Sequence, residues 1–288
     1  MSSQSSPSAA VLITGCSSGI GRATAQHLAQ SGHIVYASAR RPESIADLER
    51  SGCRLLALDV TDEASMQAAV AAVEGEHGAI GALVNNAGYS QSGAIETVPM
   101  AKVRAQFETN VFGLVRLCQL VLPGMRRQRA GRIVNLSSMG GKLVFPGGGF
   151  YHATKYAVEA ISDALRFEVK GFGIDVVLVE PGLIRTEFGT TAAGGVSEAG
   201  EGEGDYAHFN AHVATATEQI YESGGPIARL GGPPDAVAKV IEKALAANRP
   251  RARYTVTPSA KLLIGQRALL PDRAWDAVMR SQFPSPGR

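Results

Sequence analysis

The run AAVLIT at residues 9–14 leads into Gly15, Gly19 and Gly21, and a helical pattern follows at once. This order constrains the fold more than anything else in the chain. A strand buried on both faces of a parallel sheet reads as a continuous apolar run, not as an alternation. Glycines placed straight after it let the backbone turn sharply and come close to a ligand. The N-terminus of the next helix then offers unpaired N–H groups to a phosphate. The spacing Gly-x3-Gly-x-Gly departs from the commoner Gly-x-Gly-x-x-Gly fingerprint of dinucleotide sites. Alone, such a trio is equally explained by a tight structural turn. The strand before it and the helix after it favour cofactor binding.

The alternation continues. Segments at residues 33–38, 54–58, 81–84, 132–136, 174–179 and 252–256 read as further strands. Helical patterns separate them: one lies between residues 38 and 54, Thr61-Asp62 opens one that runs to about His77, and a long one covers residues 100–128. Others carry Tyr151 on to Phe172, span residues 206–222, and start after Pro233-Pro234. Regular alternation without internal repeats predicts an α/β fold, a single doubly wound (Rossmann) domain with helices on both faces of a parallel sheet. A chain of 288 residues with 45% apolar content suffices for one such domain with a large core. The expected organisation is a frayed polar tail at 1–8, a dinucleotide-binding catalytic domain at 9–258 and a helical extension at 259–288.

Three polar clusters fall at strand ends or just beyond, where open α/β sheets bind ligands. Asn85-Asn86-Ala87-Gly88 follows residues 81–84, and Ser137-Ser138 follows residues 132–136. Tyr151-His152-Ala153-Thr154-Lys155 comes next, thirteen residues on from Ser138. Positions four apart stand on one face of a helix, so the Tyr151 phenol and the Lys155 ammonium are held as a pair. A phenol ordinarily ionises near pH ~10, and a neighbouring cation favours its phenolate. That shift suits proton exchange with an alcohol or ketone oxygen. A hydroxyl at Ser138 can donate to the same oxygen.

The end of the second strand reads Ser38-Ala39-Arg40-Arg41. Folds that bind NAD usually hold the ribose hydroxyls with an acidic residue there, whereas a 2′-phosphate calls for a cation. No carboxylate stands in that place, and a guanidinium offers phosphate a planar fork. NADP (NADPH) is the expected cofactor, with Arg40 as its main contact. Arg41, beside Pro42, is as well explained as the start of the next helix.

Taken together, Thr14-Gly-Cys-Ser-Ser-Gly-Ile-Gly21, Asp59-Val60, Asn85-Asn-Ala-Gly88, Asn110, Ser138, Tyr151-x-x-x-Lys155 and Pro181-Gly182 resemble the short-chain dehydrogenase/reductase family over roughly residues 9–190. The resemblance implies hydride transfer between a nicotinamide cofactor and a carbonyl or alcohol, with the tetrad Asn110, Ser138, Tyr151 and Lys155. In that scheme Tyr151 exchanges the proton and Ser138 bonds the substrate oxygen. Lys155 lowers the phenol pKa and binds the nicotinamide ribose. Asn110 holds a water linking Lys155 to solvent; it also reads as a buried polar residue bonding backbone at a helix kink, and both can hold. Cofactor contacts are implied at Gly15, Ser17, Ser18, Gly19, Ile20, Gly21, Asp59, Val60, Asn86, Ala87, Gly88, Tyr151, Lys155, Pro181, Gly182, Ile184 and Thr186, besides Arg40. Asp59 would accept from the adenine amino group or cap the helix ahead of Thr61-Asp62. Ser17 and Ser18 would bond phosphate or cap their helix.

Gly, Ala and Glu dominate residues 189–205, too few large apolar groups to form a core. In the family this stretch is a substrate lid, expected here to be mobile over residues 189–225. Phe145, Pro146 and Gly147 to Gly149, with Leu143, Val144, Leu183, Ile184 and Phe188, would line an apolar pocket resembling that of the steroid and retinol dehydrogenase branch. A lipophilic ketone, aldehyde, sterol or retinoid is the expected substrate class.

Other readings weigh less. A net charge of +2 speaks against nucleic-acid binding; Arg126, Arg127, Arg129 and Arg132 read as a solvated helix end. Cys16, Cys53 and Cys118 lack metal-ligand spacing, and reduced thiols in a cytoplasmic protein are expected. His208 and His212 share a helix face but have no third ligand, so no metal is expected. His152 reads as ordinary packing or surface. The amphipathic basic tail from Ser259 would pack on the core or on a partner subunit of a homodimer or homotetramer; a membrane surface is the weaker alternative. Two other classes remain: an NADP-sensing binding protein, excluded by turnover of any carbonyl compound, and a lyase or epimerase, favoured by conversion without net cofactor change.

Overall fold

The computed structural model describes residues 7–186, 204–222 and 230–286. The apolar runs form seven strands: β1 (Ala10–Ile13), β2 (Ile34–Ala39), β3 (Arg54–Ala57), β4 (Ala82–Asn85), β5 (Gly131–Leu136), β6 (Ile174–Pro181) and β7 (Arg253–Val256). They make one sheet in the order β3-β2-β1-β4-β5-β6-β7, every pairing parallel. The chain winds outward from β1 in one direction and from β4 in the other. That reversal opens a crevice beyond the carboxyl ends of these two strands.

The helices are α1 (Gly19–Gln30), α2 (Glu63–His77), α3 (Met100–Phe107), α4 (Gly113–Gln128), α5 (Gly149–Val169), α6 (Ala207–Glu222), α7 (Pro234–Ala246), α8 (Pro258–Leu269) and α9 (Asp272–Gln282). One sheet face, through Leu12, Leu83, Ile133 and Val176, packs on Val70 and Val73 of α2, Leu117 and Val121 of α4, and Val158 of α5. The other, through Val11, Ile13, Val35, Val84 and Val134, packs on Ala25 and Leu28 of α1 and Val237 and Ile241 of α7. Each fully buried aliphatic side chain of this kind contributes about 1.5–3 kcal/mol.

Three details depart from the pattern read in the sequence. The segment between β2 and β3 is a 3-10 helix (Pro42–Ser51), kinked at Ile45, and not an α-helix. The long helix at residues 100–128 is interrupted by a π-turn (Glu108–Phe112). Gly113 follows that turn because α4 runs against β-sheet loop backbone there: a Cβ on it would collide with Val60 O. Arg132 belongs to β5, not to the helix end; it donates to Ala244 O at 2.7 Å and pairs with Asp175 at 3.1 Å.

The expected lid at residues 189–225 falls mostly outside the described residues, which resume with Gly204 and α6. The polar start is also outside up to residue 6, but Ser8 is tied down, its N–H donating to Gln128 Oε1 at 2.9 Å. Among the described residues no helix is long and apolar enough to cross a membrane.

The tail packs on the chain itself. Leu263 and Ile264 of α8 and Trp275 and Met279 of α9 surround Leu143 and Phe145. Trp275 is the protein's only tryptophan and is 6% exposed, whereas Leu269 is 85% exposed. Trp275→Ala should therefore cost about 3 kcal/mol of unfolding free energy in urea. Leu269→Ala should change it by less than about 0.5 kcal/mol. Equal, small effects from both would mean that the tail is not docked.

Candidate active site

The turn after β1 has the backbone its glycines permit. Gly15 and Gly19 hold φ of +72° and +53°, conformations costly for other residues. A Cβ on Gly15 would lie 2.9 Å from Ala87 Cα, so the β1 and β4 loops touch through their backbones. Gly21 serves this contact from below: a Cβ there would collide with Gly15 O and the Asn86 amide. Among the described residues that line the cavity Gly15 and Gly19 are present and Gly21 is not. Ser18 stands at the N-cap of α1 with extended backbone and no side-chain capping bond. The first N–H groups of α1 are left open to an anion, and both Ser17 and Ser18 are exposed beside them.

A cavity of about 1120 Å³ runs from this turn across the strand ends. It gathers Gly15, Ser17, Ser18, Gly19, Ile20, Arg40, Asp59, Val60, Asn86, Ala87, Gly88, Ser138, Tyr151, Lys155, Pro181, Gly182, Ile184 and Thr186. Arg40 follows β2 directly, is exposed, and has no ion pair among the described residues. Asp59 Oδ1 accepts from Thr61 N at 2.9 Å and Thr61 Oγ1 at 2.7 Å, while Asp62 is the residue that caps α2. Asn86 lines the cavity, but its amide donates to Thr14 O at 2.9 Å and Gly15 O at 3.0 Å. Asn85 is buried and donates to Asn135 Oδ1 at 2.9 Å, a bond between β4 and β5. The open helix end, the close backbone turn and the free guanidinium fit a phosphorylated dinucleotide.

The proton-handling end is built on α5. Lys155 is buried, and its Nζ donates to Leu136 O at 2.7 Å while lying 5.8 Å from the Tyr151 ring centroid. Ser138 Oγ accepts from Gly140 N at 3.0 Å, which leaves its own proton to donate elsewhere. Asn110 is in the π-turn and does not line the cavity. Its amide donates to Tyr89 O at 2.9 Å and Thr154 Oγ1 at 3.1 Å, and its Oδ1 accepts from Tyr89 N at 3.0 Å. The side chain fulfils the kink reading of Asn110.

Sequence reasoning undervalued His152. The ring is buried; its Nε2 accepts from Phe145 N at 3.2 Å, so the proton sits on Nδ1 and goes to Gly140 O at 3.0 Å. Burial pushes the imidazole pKa down, which keeps the ring neutral in this clamp. It joins the Ser138 turn to the wall before Tyr151. A polar residue at helical spacing carries no sign of such a partner in the sequence. The tail was missed as well: Leu262, Leu263, Gln282 and Phe283 line the cavity with Val213 and Ala216 of α6. Of the expected wall, Phe145, Pro146, Gly147, Gly148, Leu183 and Ile184 line the cavity. Leu143 lies beneath Trp275, Val144 is 43% exposed, and Gly149 packs on Ile95. Phe188 is outside the described residues.

Cys16 is buried, and burial pushes its thiol up to about 12, so it fills space and is no nucleophile. His212 Nε2 donates to Gln282 O at 2.8 Å, a bond from α6 to the tail.

Burial holds the Lys155 pKa down to about 8 from 10.5, the Glu159 carboxylate opposing this shift. An unfolded lysine keeps its proton to pH ~10.4. Between these values the unfolded chain binds more protons at this position, so the stability Lys155 confers rises with pH across that window and is absent below it. In urea unfolding of the cofactor-free protein from about pH 8 to 10.5, wild type should gain on Lys155→Met by up to about 3 kcal/mol. A difference that does not vary with pH would place the ammonium in water.

The short chain dehydrogenase family model matches residues 9–194. A 3-ketodihydrosphingosine reductase from Bacteroides thetaiotaomicron is 39% identical over 272 residues, 94% of this chain and 96% of that protein. An NADPH-dependent 3-dehydrocapnine reductase from Ornithobacterium rhinotracheale is 35% identical over 278 residues, 93% of this chain and 94% of that protein. The crystal structure of a short-chain dehydrogenase from Streptomyces avermitilis superposes with a TM-score of 0.76 at 35% identity, covering 96% of this chain and 99% of that one. By sequence, fold and site alike, this chain belongs to the short-chain dehydrogenase/reductase family of oxidoreductases acting on CH–OH groups.

Proposed function

We propose that the protein is an NADPH-dependent reductase of lipophilic ketones or aldehydes. The observation that carries this reading is the single cavity with two unlike ends. One end has the open α1 N-terminus and the uncommitted Arg40; beyond Tyr151 the walls are Phe145, Leu183, Val213, Leu263 and Phe283. Among the described residues the only charged side chains that line it are Arg40, Asp59, Glu108 and Lys155, three of them near the strand ends that hold the cofactor in this reading. The relatives support it, since one is named as NADPH-dependent and both as reductases of keto or dehydro compounds.

Gly15 to Ile20 and Thr186 would hold the cofactor's pyrophosphate, Arg40 its 2′-phosphate, Asp59 and Val60 its adenine, and Lys155 its nicotinamide ribose. When bound, the reduced nicotinamide supplies a hydride to the substrate carbonyl carbon. Tyr151 donates its phenolic proton to the oxygen that gains charge. Ser138, its oxygen already engaged by Gly140 N–H, donates its hydroxyl proton in a hydrogen bond to that oxygen. The Lys155 ammonium, held by Leu136 O beside the phenol ring, favours the phenolate left behind. Apolar walls exclude water and strengthen each of these interactions. Helix α6 and the tail would close the substrate end.

The direct test is loss of NADPH absorbance with a panel of ketones, aldehydes, sterols and retinoids. Turnover of none of them would overturn the reading. Tyr151→Phe should lower kcat about a hundred- to ten-thousand-fold with NADPH binding nearly intact, because the ring still packs. Residual turnover near wild type would remove Tyr151 from the proton-transfer role. Ala39→Asp with Arg40→Leu should shift the ratio of kcat/KM for NADPH and NADH toward NADH, the carboxylate accepting ribose hydroxyls and repelling the 2′-phosphate. An unmoved ratio would mean that Arg40 is not the reader.

A further inference from the structure

The loop after β4 returns to the cavity at Ser90 and Ser92, two hydroxyls in a wall that is otherwise mostly apolar. Both residues are 5% exposed. Their side chains bond only each other among the described residues, Oγ to Oγ at 3.3 Å. That is long for a hydroxyl pair. Each hydroxyl carries one proton and two acceptor lone pairs. A single contact uses one proton and one lone pair, so one proton and three lone pairs remain for a further partner. Each hydroxyl has its neighbour as one partner and keeps capacity for another from the cavity that both residues line.

The backbone that carries the pair is fixed from several sides. Tyr89 is held at both N–H and C=O by Asn110, at 3.0 and 2.9 Å. Gly93 N–H donates to Gly147 O at 2.8 Å, and Ala94 N–H to Asn210 Oδ1 at 3.0 Å. The bond to Gly147 sets the pair against the turn that begins the Tyr151 helix. Ser90, Ser92, Ser138 and Tyr151 all line the same cavity.

We propose that the Ser90–Ser92 hydroxyl pair recognises a second hydrogen-bonding group on the substrate, a hydroxyl or amino substituent close to the carbonyl. The preferred substrate is then a ketone with such a substituent on one side and an apolar chain on the other. This rests on the reductase reading above and adds the polar side of the substrate to it. Sites built to hydrogen-bond a group discriminate strongly against analogues that lack it, because their own polar atoms are left unpaired.

Two measurements test it, the second of them without turnover. With NADPH, kcat/KM for 1-hydroxydecan-2-one should exceed that for decan-2-one at least about tenfold. Calorimetric binding of decane-1,2-diol to the NADP+-loaded protein should likewise exceed that of decan-2-ol. Ser90→Ala with Ser92→Ala should abolish both preferences while changing decan-2-one turnover less than about threefold. Ser92→Thr, which keeps the hydroxyl, should retain them. Failure to reduce either ketone would overturn the reductase reading. Equal binding of the diol and the alcohol to wild type, or a preference that survives the double substitution, would overturn this inference whatever the turnover.

Discussion

The cavity depends on a contact between two strand ends. Where the sheet order reverses, the loops after β1 and β4 must meet with almost no side chain between them. Thr14 Oγ1 accepts from Asn86 N at 3.0 Å and Ala87 N at 2.9 Å, while the Asn86 amide donates back to Thr14 O and Gly15 O. Strand-end carbonyls that would otherwise be buried unpaired are satisfied inside the protein. The α1 N–H groups are thereby left as an open polar feature of the crevice. The three glycines divide this work: two supply left-handed backbone and the third, Gly21, supplies absence of a side chain.

Asn110 extends that geometry to the chemistry. One side chain joins the π-turn, the loop at Tyr89 and Thr154 on α5. A regular α-helix could not bring its amide to both backbone groups of Tyr89 while α4 also packs on Val60 through Gly113. The π-turn is the local adjustment that reconciles the two contacts, and such turns recur at functional sites for this kind of reason. The cofactor end and the proton-handling end are held to each other by one buried amide.

The sheet was legible in the sequence because both its faces are covered, so its strands read as apolar runs with glycine or polar punctuation. Residues at strand ends were legible for the same reason: position along a parallel strand already says which end faces the crevice. Arg40 could be picked out this way. His152 and Phe283 could not, since each acquires its meaning from a partner remote in the chain or in another loop. Periodicity tells that Trp275 and Met279 share a face, not that the face closes on Leu143 and Phe145. The 3-10 segment at Pro42–Ser51 hid for a different reason: its apolar Ile45 and Leu48 fit a helix pattern whichever hydrogen bonds the backbone makes.

Beneath the catalytic helix lies a cluster of charges that no motif announced. Glu159, one turn beyond Lys155 on α5, is 5% exposed, and its Oε2 takes Lys142 Nζ at 2.7 Å and Arg253 Nε at 2.9 Å. Glu180, 3% exposed on β6, accepts from Thr255 Oγ1 at 2.8 Å, and burial raises its carboxyl pKa. Buried ion pairs of this sort offset their desolvation poorly and are weak evidence for stability. Their placement argues for a local electrostatic task. Lys142 directly follows the turn of Ser138, so the Glu159 carboxylate grips the loop that carries one reactive hydroxyl. The same carboxylate opposes the effect of burial on Lys155, keeping that ammonium charged nearer neutrality than the apolar interior alone would allow. A lysine buried for the sake of a dry site needs such a counter-charge, and a counter-charge buried beside it needs cations of its own. Arg253 on β7 and Lys142 supply them, which ties the last strand of the sheet to the protonation state of Lys155.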